Sequence, residues 1–150
     1  MSGIITRICI NEGDPVHKGQ TLFIIDQVPY KAALETAVAN VKSAEAKLAT
    51  AKLTADSKAE LYKEQIVSEF DLQTARNEQA AAEAALAQAK AQEVNARNDL
   101  SYTEVKSPVN GVASMIPYRV GALVNSSITE PLVTVSDDSE VSVSYTHLRA

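Results

Sequence analysis

The chain has 150 residues, 45% of them hydrophobic, and a formal net charge of −5. No run of lysine or arginine stands out, which excludes the clustered positive charge that nucleic acids and anionic membrane surfaces require. Much of the apolar content is alanine, with no tryptophan and only two phenylalanines. Large apolar area for a compact core is therefore scarce, and an extended body is expected.

Residues 1–28 read as short strands and turns. Thr6-Arg7-Ile8-Cys9-Ile10 alternates as a half-buried strand does, and Cys9, the single cysteine, is expected as a small buried side chain there. One cysteine forms no internal disulfide. Glu12-Gly13-Asp14 and Lys18-Gly19-Gln20 mark turns, and Leu22-Phe23-Ile24-Ile25-Asp26 marks a β-rich run. His17 falls in a turn far from His147, the other histidine, so no metal site is indicated. No nucleophile with a base and an orienting acid is identifiable, and no phosphate-cradling loop is present.

Residues 30–107 contain neither glycine nor proline; all five of each lie in the flanks. Within this stretch Leu34, Val41, Leu48, Ala55 and Tyr62 fall seven apart, with Ala37, Ala44 and Ala51 as a companion row. Leu72, Leu86 and Leu100 share a second register with Gln79 and Glu93, accompanied by Ala75, Ala82, Ala89 and Ala96. Each series places one apolar stripe on a helix, the pattern of a coiled-coil seam. The alanine rows let two backbones approach closely. Gln79 and Glu93 interrupt the leucine row, either at the edge of the seam or in contact with a neighbouring hairpin.

Pro29 suits the first turn of helix one, because its missing N–H has no partner to lose there. Ile66-Val67-Ser68-Glu69-Phe70-Asp71 interrupts the stripe. Ser68 is a good N-cap, and Glu69 and Asp71 put negative charge in the first turn after it. Ser107-Pro108 is expected to end helix two. Two arms of equal length, each about 50 Å at ~1.5 Å per residue, predict an antiparallel hairpin over 29–106 with its tip near 64–69. Tyr62 fits the heptad and is expected to pack, whereas Leu61 is out of register and is expected to be exposed beside the tip.

Residues 107–138 repeat the design of the first flank. Gly3-Ile4 stands ten residues before Gly13, and Gly111-Val112 stands ten before Gly121. Each half runs on to a β segment ending in Asp, at Asp26 and Asp137. Short strands of this kind bury no face alone, so the halves at 1–28 and 107–138 are expected to pack together as one small sandwich.

The residues now in view carry a specific resemblance. Glu12-Gly13-Asp14, Val16, Lys18-Gly19-Gln20 and Leu22 resemble the lipoyl or biotinyl carrier fold. Ile25-Asp26-Gln27-Val28-Pro29-Tyr30, followed by Ala32-Ala33-Leu34, resembles the exit into the hairpin of periplasmic adaptor proteins. The run from Leu100-Ser101-Tyr102-Thr103 through Ser107-Pro108-Val109-Asn110-Gly111 resembles the same family's re-entry. Together they resemble the adaptors, or membrane fusion proteins, of resistance-nodulation-division (RND) efflux pumps, over almost the whole chain.

The resemblance implies an α+β fold: a long antiparallel coiled-coil hairpin inserted between two halves of a lipoyl-like β-sandwich. The turns at Gly13, Gly19, Gly111 and Gly121 belong to that sandwich, and Leu34, Val41, Leu48, Leu72, Leu86 and Leu100 to the seam. It implies a non-catalytic, cofactor-free periplasmic adaptor in a drug-export pump. Its partners would be an inner-membrane transporter, an outer-membrane channel and further copies of itself in a ring. In that family Arg, Leu four residues later and Ser seven after that are associated with channel docking. Leu61 and Ser68 match this pattern, but the first position is Ser57, with Lys58 beside it. The domains and inner-membrane anchor expected of a complete adaptor lie outside this sequence, and residues 139–150 read as the start of a next domain or as a non-native tail.

Three other readings are weighed against this one. An adaptor of an ATP-driven exporter or type I secretion system shares the architecture, often with a longer hairpin. A purely structural coiled-coil scaffold predicts a parallel helix dimer and no β-sandwich. A swinging-arm carrier needs a lysine displayed at the hairpin turn between its halves, where this chain has the long insertion; Lys18 and Lys31 lie elsewhere.

Overall fold

The computed structural model describes residues 2–125, 133–136 and 143–146. It divides into two compact units, residues 1–31 with 98–150, and residues 32–97.

In the first unit, the strands β1 (Ser2–Ile8), β2 (Pro15–Val16) and β3 (Thr21–Ile25) come from the N-terminal flank. The strands β4 (Glu104–Lys106), β5 (Gly111–Ala113), β6 (Leu123–Asn125), β7 (Val133–Ser136) and β8 (Val143–Thr146) come from the C-terminal flank. They form two four-stranded sheets, ordered β4-β3-β1-β6 and β2-β5-β7-β8. Each sheet thus mixes strands of both halves. The repeat read from the glycines is real in the backbone: β1 pairs β3 as β5 pairs β7, and β6 crosses to β1 as β2 crosses to β5. Even β8 holds the place beside β7 that β4 holds beside β3.

The halves also exchange hydrogen bonds at matching positions. The Gly13 N–H donates to the Ala113 carbonyl (2.8 Å), and the Ala113 N–H to the Asp14 carbonyl (2.9 Å). In the other half, the Gly121 N–H donates to Ile5 (2.8 Å), and the Ile5 N–H to Ala122 (2.9 Å). Between the sheets lies one apolar core, with Ile5, Leu22, Phe23, Val124 and Val135 fully buried and Val16, Ile25 and Val133 nearly so. Each such side chain contributes roughly 1.5–3 kcal/mol of transfer free energy.

Cys9 departs from expectation: it is exposed. The reason is a register shift in β1 between Ile5 and Arg7. Before it, the odd residue Ile5 points inward; after it, Ile8 is half-buried and Ile10 buried, so Arg7 and Cys9 turn out to solvent. A bulge of this kind inverts an alternation that the sequence alone reads as continuous.

The end of the second helix also moves. The helix stops at Tyr102 and residues 104–106 already form β4, so the hairpin does not extend to 106 as its composition predicts. Thr103, fully buried, takes over the terminus: its hydroxyl donates to the Leu100 carbonyl (2.5 Å) while its own carbonyl accepts from the Ile25 N–H (2.8 Å). Capture by β3 ends the helix before Pro108 is reached. Residues 137–142 and 147–150, with Asp137 and His147, lie outside the described residues, and the tail predicted from residue 139 contributes only β8 to them.

Gly13, Gly19 and Gly121 have positive φ (83°, 84° and 93°), the left-handed region that favours glycine. Gly111 is required for a different reason: a Cβ there would collide with the backbone carbonyl of Ser136.

The second unit is a helical hairpin. Helices α1 (Val28–Lys63) and α2 (Glu69–Tyr102) run antiparallel, since Val41 and Ala44 cluster with Leu86 and Ala89. The stripe is present, but its most covered members are chiefly the alanines. Ala37, Val41, Ala44, Ala55, Leu72, Ala75 and Ala89 are buried, whereas Leu34, Leu48, Leu86 and Leu100 are half-buried. Two helices offer one contact line, and of the side chains longer than alanine in these rows only Val41 and Leu72 are buried by it. Gln79 and Glu93 stay on the seam half-buried and find partners on their own helix: Gln79 donates to Glu83 (3.3 Å) and Arg97 to Glu93 (2.6 Å). An antiparallel hairpin within one chain, together with a β-sandwich, is not what a bare parallel scaffold requires.

Because the obstacle at Gly111 is backbone rather than a movable side chain, Gly111→Val is expected to destabilise the β unit by about 3 kcal/mol, with Gly111→Ala less harmful. Thermal unfolding of the two variants checks this; an unchanged melting temperature for the valine variant would contradict the packing.

Candidate functional site at the hairpin tip

The helices are joined by five residues, 64–68, and the join is closed by backbone geometry. The Ile66 N–H donates to the Leu61 carbonyl (2.9 Å) and the Gln65 N–H to the Tyr62 carbonyl (3.0 Å). This nested pair is the Schellman closure of a helix C-terminus. It needs one residue in left-handed conformation, and Gln65 occupies that position with φ 61°, where glycine is the usual choice. On the other side Ser68 caps α2 as its sequence position predicts. The Asp71 N–H donates to its hydroxyl and the Leu72 N–H to its carbonyl, both at 3.2 Å. Glu69 and Asp71 stand in the first turn of α2, where they favour the positive end of the helix dipole.

The side chains of the tip sort differently from expectation. Leu61 is half-buried, whereas Tyr62 is 42% exposed. An α-helix drifts by about 20° per heptad against a strict seven-residue repeat, and the facing helix starts only at Glu69. The heptad extrapolated to Tyr62 therefore points past the last covered layer. Leu61 is tied into the turn through its carbonyl, which accepts from the Ile66 N–H. Ser57 and Ser68 are exposed and Lys58 is half-buried. Around them Lys63 pairs with Glu60 (3.3 Å), both ends well exposed.

Two exposed apolar residues were not singled out by the heptads: Ile66, 64% exposed, and Phe70, 77% exposed. Phe70 is two residues before Leu72, hence about 200° round the helix from a seam position. An apolar residue off the stripe beside a cap is the signal that locates it.

The tip holds no catalytic constellation, and among the described residues no group of three or more His, Cys, Asp or Glu side chains could hold a metal. A shallow cleft of about 260 Å³ lies in the β unit, lined by Ile8, Ile10, Glu12, Ile116, Tyr118 and Arg119 among others. Glu12 there accepts a hydrogen bond from the Ile116 N–H (3.1 Å). The cleft is below the roughly 300–1,000 Å³ of drug-sized ligand sites. No helix among the described residues is long and apolar enough to cross a membrane. What the tip offers is a contact surface, polar with apolar projections.

Comparison with known proteins agrees with this architecture. The family described as "RND MFP, barrel-sandwich hybrid domain" matches residues 1–136. Multidrug resistance protein MdtE of Escherichia coli K12 is 37% identical over 135 residues, 90% of this chain and 35% of that protein. Multidrug efflux pump subunit AcrA of the same strain is 32% identical over 146 residues, 97% of this chain and 37% of that protein. The chain thus spans little more than a third of these relatives. Among solved structures, MacA from Actinobacillus actinomycetemcomitans has a TM-score of 0.78 at 28% identity, over 91% of this chain and 47% of that one.

Replacing Gln65 by glycine is expected to stabilise the hairpin by up to about 1 kcal/mol, by relieving the left-handed strain. Ser68→Ala should cost about 1 kcal/mol by removing the cap. Thermal melts followed by helical circular dichroism report both, and opposite signs would refute the assigned turn geometry.

Proposed function

The chain belongs to the RND membrane fusion protein family, and from that premise we propose that it forms the lipoyl-like and hairpin section of a periplasmic efflux adaptor. In this reading the adaptor bridges an inner-membrane transporter and an outer-membrane channel and assembles with copies of itself. It catalyses nothing and carries no cofactor; its work is to hold a path together. The drugs are chosen by the transporter.

The observation that carries this reading is a hairpin tip closed by backbone hydrogen bonds and one serine hydroxyl, with Tyr62, Ile66 and Phe70 left exposed. Family membership supports the same conclusion, as do relatives named for multidrug resistance and efflux. Docking at the tip is assigned to the region of Ser57, Lys58, Leu61 and Ser68. Leu61 also closes the turn and Ser68 also caps α2, so Ser57, exposed and outside both devices, is the cleanest reporter position.

The test uses cells expressing the complete gene product with Cys9→Ser and a single cysteine at Ser57. A cross-link to a large outer-membrane protein is expected. Cross-links only between copies, at normal expression, would replace the adaptor reading with a self-assembling scaffold. Ser68→Arg is expected to abolish drug resistance at normal protein level, since the cap it removes is worth only about 1 kcal/mol; full resistance would overturn the tip assignment.

A further inference from the structure

We propose that Phe70, seconded by Ile66, is the apolar anchor with which the tip selects its channel, and that the receiving surface is an apolar pocket with a basic rim. The inference rests on the adaptor reading above and names the chemistry of its docking contact.

The chain's two phenylalanines meet opposite fates. Phe23 is fully buried at the centre of the β unit, whereas Phe70 is 77% exposed. No seam position explains Phe70, because it lies on the far side of α2 from buried Leu72 and Ala75. The turn does not explain it either: the contacts that close the tip use Leu61, Tyr62, Gln65 and Ile66 through backbone atoms, and Ser68 through its hydroxyl. A large aromatic that the fold leaves unused, in a tip segment that also exposes Ile66 at 64% and Tyr62 at 42%, is the composition of an interface anchor.

Charge indicates which partner suits that anchor. Over residues 57–71 the acids Glu60, Glu64, Glu69 and Asp71 outnumber Lys58 and Lys63. Lys63 is paired with Glu60, while Glu64, Glu69 and Asp71 have no cationic side chain paired with them among the described residues. Acids flanking an apolar projection repel a second copy of the same tip and attract a basic one. The occupant is therefore a different protein, with lysine or arginine around an apolar recess.

The Ser57 cross-linking assay tests this directly in the complete protein. Phe70→Ala is expected to lower the yield of channel cross-link at least tenfold, with a matching fall in drug resistance. Phe70→Leu retains most of the yield, and the expression and melting temperature of both variants stay unchanged. Unaltered yield in a Phe70→Ala, Ile66→Ala double variant would overturn the anchor while leaving the adaptor reading intact. If the unsubstituted tip never captures a channel, the adaptor reading itself fails and the anchor with it. Capture of the same tip on a second copy would overturn the charge argument.

Discussion

Everything in the β unit depends on an exchange of backbone hydrogen bonds between two stretches far apart in the chain. Gly13 and Asp14 bond to Ala113, and Gly121 and Ala122 bond to Ile5, in mirrored fashion. Neither half has strands enough to bury a face by itself: β1 and β3 need β4 and β6, while β5 and β7 need β2. An insertion between such halves is tolerable only if its two ends return to neighbouring strands. The antiparallel hairpin meets that condition by construction. Gln27, just before α1, donates to the Thr103 hydroxyl just after α2 (3.0 Å), so the two ends of the insertion are tied where they leave the sheets.

The hairpin is held by a different balance. Its buried residues are mostly alanines, so each layer of the seam yields little apolar area, and the stability of the arms comes from length and from intrinsic helix propensity. Intrahelical pairs such as Glu93 with Arg97 and Gln79 with Glu83 add only a few tenths of a kcal/mol each. Glu93 is the more instructive of the two. Its side chain is only 20% exposed although it stands in a seam row, and Arg97, one turn on and 61% exposed, carries the compensating charge outward. A thin seam lets a carboxylate remain half-wet where a deeper core would exclude it.

Features that depend on local chemistry and period were legible in the sequence; features that depend on tertiary capture were not. The stretch without glycine or proline, the alanine and leucine rows and the Ser68 cap all express local rules, and each corresponds to what the backbone does. The glycine spacing disclosed the two-fold repeat because a turn and a close approach recur at matching places. Cys9 was misread because a bulge between Ile5 and Arg7 inverts inside and outside, and alternation carries no mark of it. Thr103 was overlooked as a helix stop because its effect comes from pairing with β3, a contact between residues distant in sequence. At the tip, extrapolating the heptad to Tyr62 assumed a facing helix that is absent at that level. Phe70 is legible in the sequence as an apolar residue off the stripe beside the Ser68 cap.

The way the tip is closed bears on which of its positions are free to vary. At the two helix ends the Leu61 and Tyr62 carbonyls are bonded by a Schellman turn and the Asp71 N–H by the Ser68 hydroxyl. The positions around them, Tyr62, Ile66 and Phe70 among others, carry side chains the fold does not use. Substitution there costs little stability, because no buried contact is lost. The β unit has no such freedom: Gly111 faces a backbone carbonyl and Phe23 fills the centre of the core. In the proposed adaptor, substitutions at the end of the hairpin would therefore alter the contact surface while the sandwich stays fixed. A contact surface is best placed where the chain's own folding makes the fewest demands.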